Sequence, residues 1–345
     1  MPVTAEYATD ALPGETVDAV VIGGGAAGLN GALMLARSRR SVVVIDSGTP
    51  RNAPAEGVHG LLGLDGTPPA ELLRAGREEV RRYGGQVVTG EVTSAAPTAP
   101  SPEDDPRFTV TLADGSTLKS RRLLIATGLR DVLPDVPGLA QHWGHSVVHC
   151  PYCHGWEVRD QAVGILASGP RAVHMALLFR QLTSDVVLFT HTAPALTDEQ
   201  AEQLAARDIR VVTGLVDSLE VVDDCITGVR LLSGTIVARQ ALVVTPRFVA
   251  HSQVLGTLGL HPTAHPLIGG EFVAADATGL TDVPGVWVAG NVTDLAASVV
   301  VAAAGGASAA AAINADLVAE DTRRAVSANR ELLAAASERV AAHAS

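Results

Sequence analysis

Near its N-terminus the chain reads VDAVVIGGGAAGLNGALMLA from residue 17 to residue 36. The apolar run predicts a buried strand over Val17–Ile22, and the leucines that follow at helical spacing predict a helix over Ala27–Ser38. A second predicted strand, Ser41–Ile45, comes directly after this helix. The chain therefore opens with a strand, a glycine turn, a helix and a second strand, which together form a βαβ unit.

The turn of this unit contains the pattern Gly23-x-Gly25-x-x-Gly28. Its glycines allow a tight turn, the approach of a pyrophosphate and close packing of the helix on the sheet. Asp46 ends the second strand, where a carboxylate can accept hydrogen bonds from ribose hydroxyls. The pattern predicts a dinucleotide-binding site.

A second βα unit follows in the middle of the chain. The sequence predicts a strand over Ala162–Leu166, a turn at 167–170, a helix over Ala172–Leu182 and a strand over Val186–Thr190. Between the two units we expect a strand over Gln86–Val92 and a surface loop over Ser94–Pro106. The fold class is thus α/β, with two Rossmann-like (FAD/NAD(P)-binding) domains, the second inserted in the first. The predicted boundaries are 1–131 and 248–320 for the two parts of the first domain, 132–247 for the inserted domain and 321–345 for a C-terminal helix or tail.

Composition limits the possible partners and compartments. The 345 residues carry a formal net charge of -12, which argues against nucleic acid or an anionic membrane as a partner. Three cysteines are too few for a disulfide framework, so we expect a cytoplasmic chain. The uncharged segment Leu295–Ile313 is long enough to span a bilayer, but its many Ala, Gly and Ser residues favour a buried helix.

The motif Cys150-Pro-Tyr-Cys153 predicts a redox-active thiol pair, because a two-residue gap lets the sulfurs form a disulfide. An inert pair is the alternative. A zinc site would need four ligands, and the third cysteine, Cys225, lies in a predicted hairpin. We therefore predict no metal and expect Cys225 to be a buried apolar residue.

Taken in order, these motifs resemble the low-molecular-weight thioredoxin reductase family over residues 17–318. The resemblance is carried by the first glycine turn, Ala126-Thr127-Gly128, the Cys-x-x-Cys motif and the run Val283–Gly290. It implies bound FAD, a pyridine-nucleotide-like inserted domain and a homodimer.

The second unit departs from the family pattern. NADPH-using members carry Gly-x-Gly-x-x-Ala there, whereas this chain reads Ala-Ser-Gly-Pro-Arg-Ala over residues 167–172. Members also place arginines after the next strand, but residues 190–194 read Thr-His-Thr-Ala-Pro. Each lost phosphate contact is worth about 1.5–3 kcal/mol, so we expect NADPH not to bind.

The resemblance also implies roles for individual residues. Cys153 aligns with the cysteine nearer the flavin, and Cys150 aligns with the thiol that exchanges with substrate. His154 replaces an Asp of the reductases and is a candidate base, with a solvent-facing turn residue as the alternative and His149 as a weaker candidate.

Further positions are implied to hold FAD. Asp46 would contact the ribose of the adenosine, and the backbone of Val88 would contact the adenine. His59 would lie near the flavin ring or serve only in packing. Asn291 would lie beside the ribityl chain or act as a local cap. The implied FAD-binding residues are Gly23, Gly25, Ala26, Ala27, Gly28, Asp46, Arg51, Asn52, His59, Val88, Ala126, Gly128, Gly290, Asn291, Ser298, Val299 and Val300.

The sequence CPYCHGWE, residues 150–157, is similar to the family's dithiol oxidases, which close disulfides in natural products such as gliotoxin and holomycin. We therefore expect an FAD-dependent oxidase of a small-molecule dithiol that reduces molecular oxygen to hydrogen peroxide. The alternatives are a disulfide reductase that uses NADPH or ferredoxin and a non-catalytic redox sensor.

Overall fold

The computed structural model describes residues 9–98, 108–251, 253–266 and 268–343. Its first unit is a parallel sheet with helices, as the sequence predicts. Four residues of β1 pair with β2 and with a later strand, and they are buried because both faces of the sheet are covered. The elements are β1 (Val17–Ile22), α1 (Ala26–Arg37), β2 (Val42–Asp46), α2 (Pro69–Arg82) and β3 (Gln86–Thr89).

An antiparallel meander extends this sheet to the strand order β3-β2-β1-β6-β5-β4. The first half of β6 pairs with β5, and its second half runs parallel to β1. A further strand leads out toward the inserted unit. These elements are β4 (Val92–Pro97), β5 (Phe108–Leu112), β6 (Thr117–Ile125) and β7 (Leu129–Val132).

The inserted unit has its own parallel sheet, in the order β11-β10-β9-β15-β8, and an antiparallel sheet β12-β13-β14. The strands β9, β10 and β15 are buried along their whole length, which fits their unbroken apolar sequences. The elements are β8 (Val147–Val148), α3 (Pro151–His154), β9 (Val163–Leu166), α4 (Ala172–Phe179), β10 (Val186–Phe189), α5 (Asp198–Ala206), β11 (Arg210–Val212), β12 (Val216–Val222), β13 (Cys225–Leu231), β14 (Ile236–Ala238) and β15 (Ala241–Val244).

The chain then returns to the first sheet, which confirms that the second unit is inserted in the first. The returning strand β16 pairs antiparallel with β7, and β19 pairs parallel with the second half of β6. The elements are β16 (Arg247–Ala250), α6 (Gln253–Thr257), β17 (Thr263–Ala264), β18 (Glu271–Phe272), β19 (Val286–Val288) and α7 (Val299–His343).

By length and composition, α7 is a helix that could cross a membrane over Val299–Ser337. One face of its first half packs in the core against α1, and the opposite face is exposed. The helix that we expected to be buried is therefore buried on one side. It also continues without a break past residue 320, where we placed a boundary. Its core residues are Ala302, Ala309, Ala310, Ile313 and Leu317.

Two local expectations were wrong. The segment that we expected to start a loop at Ser94 is strand β4, which pairs with β5, and residues 99–106 of that expected loop lie outside the described residues. Cys225 is exposed rather than buried. It begins β13 beside a turn, and side chains alternate along a strand, so Ile226 enters the core while Cys225 does not.

Candidate active site

A cavity of about 1320 Å³ joins the glycine turn of the first unit to the cysteine pair of the inserted unit. Its wall includes Gly25 after β1, Asp46 at the end of β2, and both Cys150 and Cys153. Ligands of doubly wound sheets bind at the carboxyl ends of the strands, and the first unit opens the cavity at that edge. One cavity therefore connects the two motifs that the sequence predicts to be functional.

The glycine turn has a backbone that requires two of its glycines. Gly23 has φ +106°, and a Cβ there would lie 2.4 Å from the Ala126 carbonyl oxygen. A Cβ on Gly28 would lie 1.9 Å from the Gly23 carbonyl oxygen, so α1 packs directly on the turn. Gly25 lines the cavity, and a Cβ there would meet no atom within 4 Å. This turn fits a dinucleotide, because it leaves open space where a pyrophosphate would lie.

Asp46 is held in place on the cavity wall from two sides. One carboxylate oxygen accepts a hydrogen bond from the Gly24 N–H at 3.0 Å, and the other forms an ion pair with the buried Arg77. Sequence reasoning missed Arg77. The signal was present, since this arginine falls on the same helical stripe of α2 as the buried Leu73 and Val80.

A network of polar side chains holds the opposite wall. Arg51 donates two hydrogen bonds of 2.7 Å to Asp131 and a third, of 3.3 Å, to the Asn291 side-chain oxygen. The Asn291 amide nitrogen donates to the carbonyl oxygens of Asp294 and Ala297, both at 3.0 Å. Asn291 therefore links the Arg51–Asp131 pair to the segment that leads into α7, and it lines the cavity as well. Asp131 was not predicted as a site residue.

Cys150 and Cys153 form a disulfide, with their Cα atoms 5.2 Å apart. Cys150 caps the N-terminus of the short helix α3, and Pro151 occupies its first turn, where a missing N–H costs nothing. The N–H groups of Cys153 and His154 both donate to the Cys150 carbonyl oxygen, at 3.3 and 3.1 Å. The helical turn thus brings Cys150, Cys153 and His154 together on the cavity wall.

His154 has both ring nitrogens buried without a hydrogen-bond partner among the described residues. Burial lowers the pKa of His154 below its ordinary value of 6.5. At neutral pH the ring is uncharged, so an unpaired nitrogen can accept a proton. His154 is not the solvent-facing residue of our alternative.

His149, the weaker candidate, is held by aromatic rings. It stacks on Trp143 at 5.4 Å between ring centroids and meets the edge of Phe248 at 6.2 Å. Burial, together with the nearby Arg51 charge, lowers the pKa of His149 to about 4. Such a low pKa makes it a poorer proton acceptor than His154 near neutral pH.

His59 bridges the two units. Its Nε2 lies 3.4 Å from a Glu157 carboxylate oxygen, and its Nδ1 lies 3.4 Å from an Asp65 carboxylate oxygen. Glu157 follows the cysteine motif in sequence, so this contact links the first domain to the segment that carries the disulfide.

The structure brings most of the predicted site residues to one cavity and places three elsewhere. Val88 is buried in the core, and the next residues, Thr89 and Gly90, line the wall instead. Val300 is exposed, because Val299 and Ala302 share the face of α7 that lines the cavity. Gly28 packs beneath the turn. The predicted residues on the wall are Gly23, Gly25, Ala26, Ala27, Asp46, Arg51, Asn52, His59, Ala126, Gly128, Cys150, Cys153, His154, Gly290, Asn291, Ser298 and Val299.

Comparison with known proteins gives the family. The sequence pattern of the pyridine nucleotide-disulphide oxidoreductases matches residues 17–307. The chain belongs to this family. Thioredoxin reductase aclD of Aspergillus oryzae is 32% identical over 287 residues, which cover 79% of this chain and 88% of that protein. Thioredoxin reductase tcpT of Claviceps purpurea is 39% identical over 191 residues, 53% of this chain and 58% of that protein.

The crystal structure of HlmI superposes on this structure with a TM-score of 0.86 and 47% identity, covering 93% of this chain and 99% of HlmI. The resemblance to thioredoxin reductases is therefore confirmed, and the chain is a disulfide-related oxidoreductase whose family implies a flavin cofactor.

Proposed function

We propose that the chain is an FAD-dependent oxidase that closes an intramolecular disulfide in a small-molecule dithiol and releases hydrogen peroxide. The observation that carries this proposal is the contrast within one molecule between a glycine turn that lines the cavity and a second turn that lacks the N–H group and the arginines for a nucleotide phosphate. In the absence of a nicotinamide donor, a substrate dithiol supplies the electrons through the disulfide, and oxygen accepts them.

The second turn lacks the groups that hold a nucleotide phosphate. Pro170 has no N–H to donate, and the Ala193 N–H donates to the Ala167 carbonyl oxygen at 3.1 Å, which folds the following loop over the turn. No Lys or Arg occurs in residues 190–194. The Nδ1 atom of His191 instead accepts a hydrogen bond from the Val216 N–H at 3.1 Å.

The reaction begins when His154 takes a proton from one substrate thiol. The thiolate attacks Cys150, the S–S bond breaks, and Cys153 leaves as a thiolate. The second substrate thiol then attacks the mixed disulfide, so that the substrate leaves oxidised and both cysteines are reduced. FAD held at Gly25 and Asp46 would supply the two-electron acceptor for the reduced cysteines, with O₂ and the two thiol protons yielding hydrogen peroxide.

Two measurements on the purified flavoprotein test the proposal. We expect a small dithiol to elicit peroxide release in air, with none in Cys150→Ser or Cys153→Ser variants that retain their flavin. We also expect NADPH, added without oxygen, to leave the flavin absorbance unchanged. Rapid bleaching by NADPH would instead identify a reductase, and peroxide release by both serine variants would exclude a role for the disulfide.

The composition and the family resemblance support a cytoplasmic homodimer as part of this proposal. Analytical ultracentrifugation of the full chain tests the dimer.

A further inference from the structure

Arg171 lies on the wall of the cavity that contains the disulfide. It precedes α4 and lines this cavity together with Cys150 and Cys153, and its positive charge contributes to the lowered pKa of His149. Residues 167–170 and 190–194, where a nucleotide would bind in a reductase, do not line the cavity. Arg171 is therefore the one residue of the 167–171 turn that lines the cavity containing the disulfide.

Of the two arginines whose charges act on His149, one already has a partner. Arg51 is paired with Asp131 through two hydrogen bonds of 2.7 Å. The Arg171 guanidinium, in contrast, makes no hydrogen bond or ion pair with any residue that the structure describes. Arg130 also lines the cavity, but it is exposed on β7 and its charge acts at His251.

A half-buried guanidinium without a partner has lost part of its hydration, and an anionic oxygen from a ligand restores those hydrogen bonds. The same cavity also contains the glycine turn, where the FAD pyrophosphate is already provided for. The cation on the disulfide-bearing unit is therefore left for the molecule that delivers the thiols. A carboxylate matches the planar guanidinium and forms two parallel hydrogen bonds with it.

We infer that Arg171 is a specificity-determining residue and that the substrate is a dithiol bearing a carboxylate or similar anionic oxygen group. This inference rests on the proposed function and narrows its substrate class. The same chemistry could be presented by a nucleotide phosphate, so the test includes that source.

The test compares dihydrolipoate with dihydrolipoamide, which carry the same dithiol. Dihydrolipoate has a carboxylate where dihydrolipoamide has a neutral amide. We expect the flavoprotein to oxidise dihydrolipoate with a KM about tenfold lower, as for one charge-assisted contact. Arg171→Gln should raise the KM for dihydrolipoate to that for dihydrolipoamide without changing kcat. The matched controls are Arg130→Gln and Arg210→Gln, and both variants should keep the preference for dihydrolipoate. Arg210 is an exposed residue of β11 that lies outside the cavity.

A second readout does not depend on turnover. The perturbation of flavin absorbance by oxidised lipoate and lipoamide gives their Kd values, and we expect the same Arg171-dependent preference. Equal KM and Kd values in the wild type, or a preference lost in Arg130→Gln and kept in Arg171→Gln, would overturn the inference while leaving the oxidase proposal intact. Binding of NADPH that disappears in Arg171→Gln would assign the residue to a nucleotide phosphate instead. Arg171-dependent lipoate binding without any dithiol oxidation would contradict the oxidase proposal alone.

Discussion

The turns at 23–28 and 167–172 occupy the same place in two similar sheets, but they have different surroundings. The first lines a cavity with Gly23 and Gly25, whereas residues 167–170 of the second do not line it. Both follow buried apolar strands, β1 and β9. The two apolar strands are buried whether or not a ligand binds, and their burial stabilises the fold. A phosphate site, in contrast, depends on single N–H groups and glycines, so it can be lost while the fold remains.

The helices after the two turns differ in the same way. Gly25, which carries no side chain, caps α1 beside open space, whereas Arg171, which carries a cation, caps α4 on the cavity wall. The inserted unit has lost the features of a nucleotide site and keeps the cysteine pair, the unpaired His154 and a cation on the shared cavity. From this comparison we infer that the second unit serves thiol chemistry and not nucleotide binding. Three sets of substitutions test this inference.

The largest effect is expected from His154→Gln, which removes the proposed base from the inserted unit. Dithiol oxidation should fall about 100-fold or more. Burial lowers the pKa of His154 below 6.5, so the wild-type rate should be constant above that pH and fall as acid protonates the ring. The variant should lack this fall. The measurement is the pH profile of kcat/KM.

His145→Gln is the matched control, because His145 is an exposed histidine shortly before the motif. A profile that keeps its acid limb in His154→Gln, or loses it in His145→Gln, would contradict the assignment.

The next effect comes from a matched pair of substitutions, Gly25→Val and Gly169→Val. A Cβ at either glycine meets no atom within 4 Å, so both variants should fold. Gly25→Val fills the space for the pyrophosphate and should weaken flavin binding about tenfold to a hundredfold, since overpacking costs about 1–3 kcal/mol. Gly169→Val should keep its flavin and its turnover. The flavin content of purified protein measures the difference, and equal losses would show that the two turns are equivalent.

The smallest effect is expected from Pro170→Ala, which returns one N–H to the second turn. We expect the wild-type rate of flavin reduction by NADPH to be negligible. A single restored donor without nearby arginines is worth about 1 kcal/mol, so the rate in the variant should stay within about tenfold of the wild-type rate. Stopped-flow absorbance without oxygen measures it. Efficient reduction by this variant would mean that the proline alone closes the nucleotide site.

Local patterns in the sequence predicted most of the fold. The strand Val17–Ile22 begins and ends where the sequence places it, and the predicted strands Ala162–Leu166 and Val186–Thr190 each differ from the structure by one residue at one end. The predicted loop at Ser94 failed because β4 is specified by its pairing with β5 rather than by its own sequence, which is rich in residues of low strand propensity. The predicted burial of Cys225 was wrong because the burial of a residue beside a hairpin turn depends on which other segments pack over that turn.

The sequence by itself determined which residues carry chemistry, since the glycine turn and the cysteine pair are local motifs with fixed spacing. Only the tertiary structure decided how they are used. It paired Arg51 with Asp131, 80 residues away, left His154 without a hydrogen-bond partner among the residues that the structure describes, and placed Arg171 on the wall of the cavity that contains the disulfide. Pairing and burial arise between segments distant in sequence, and no local pattern encodes which charged groups remain free when those segments pack.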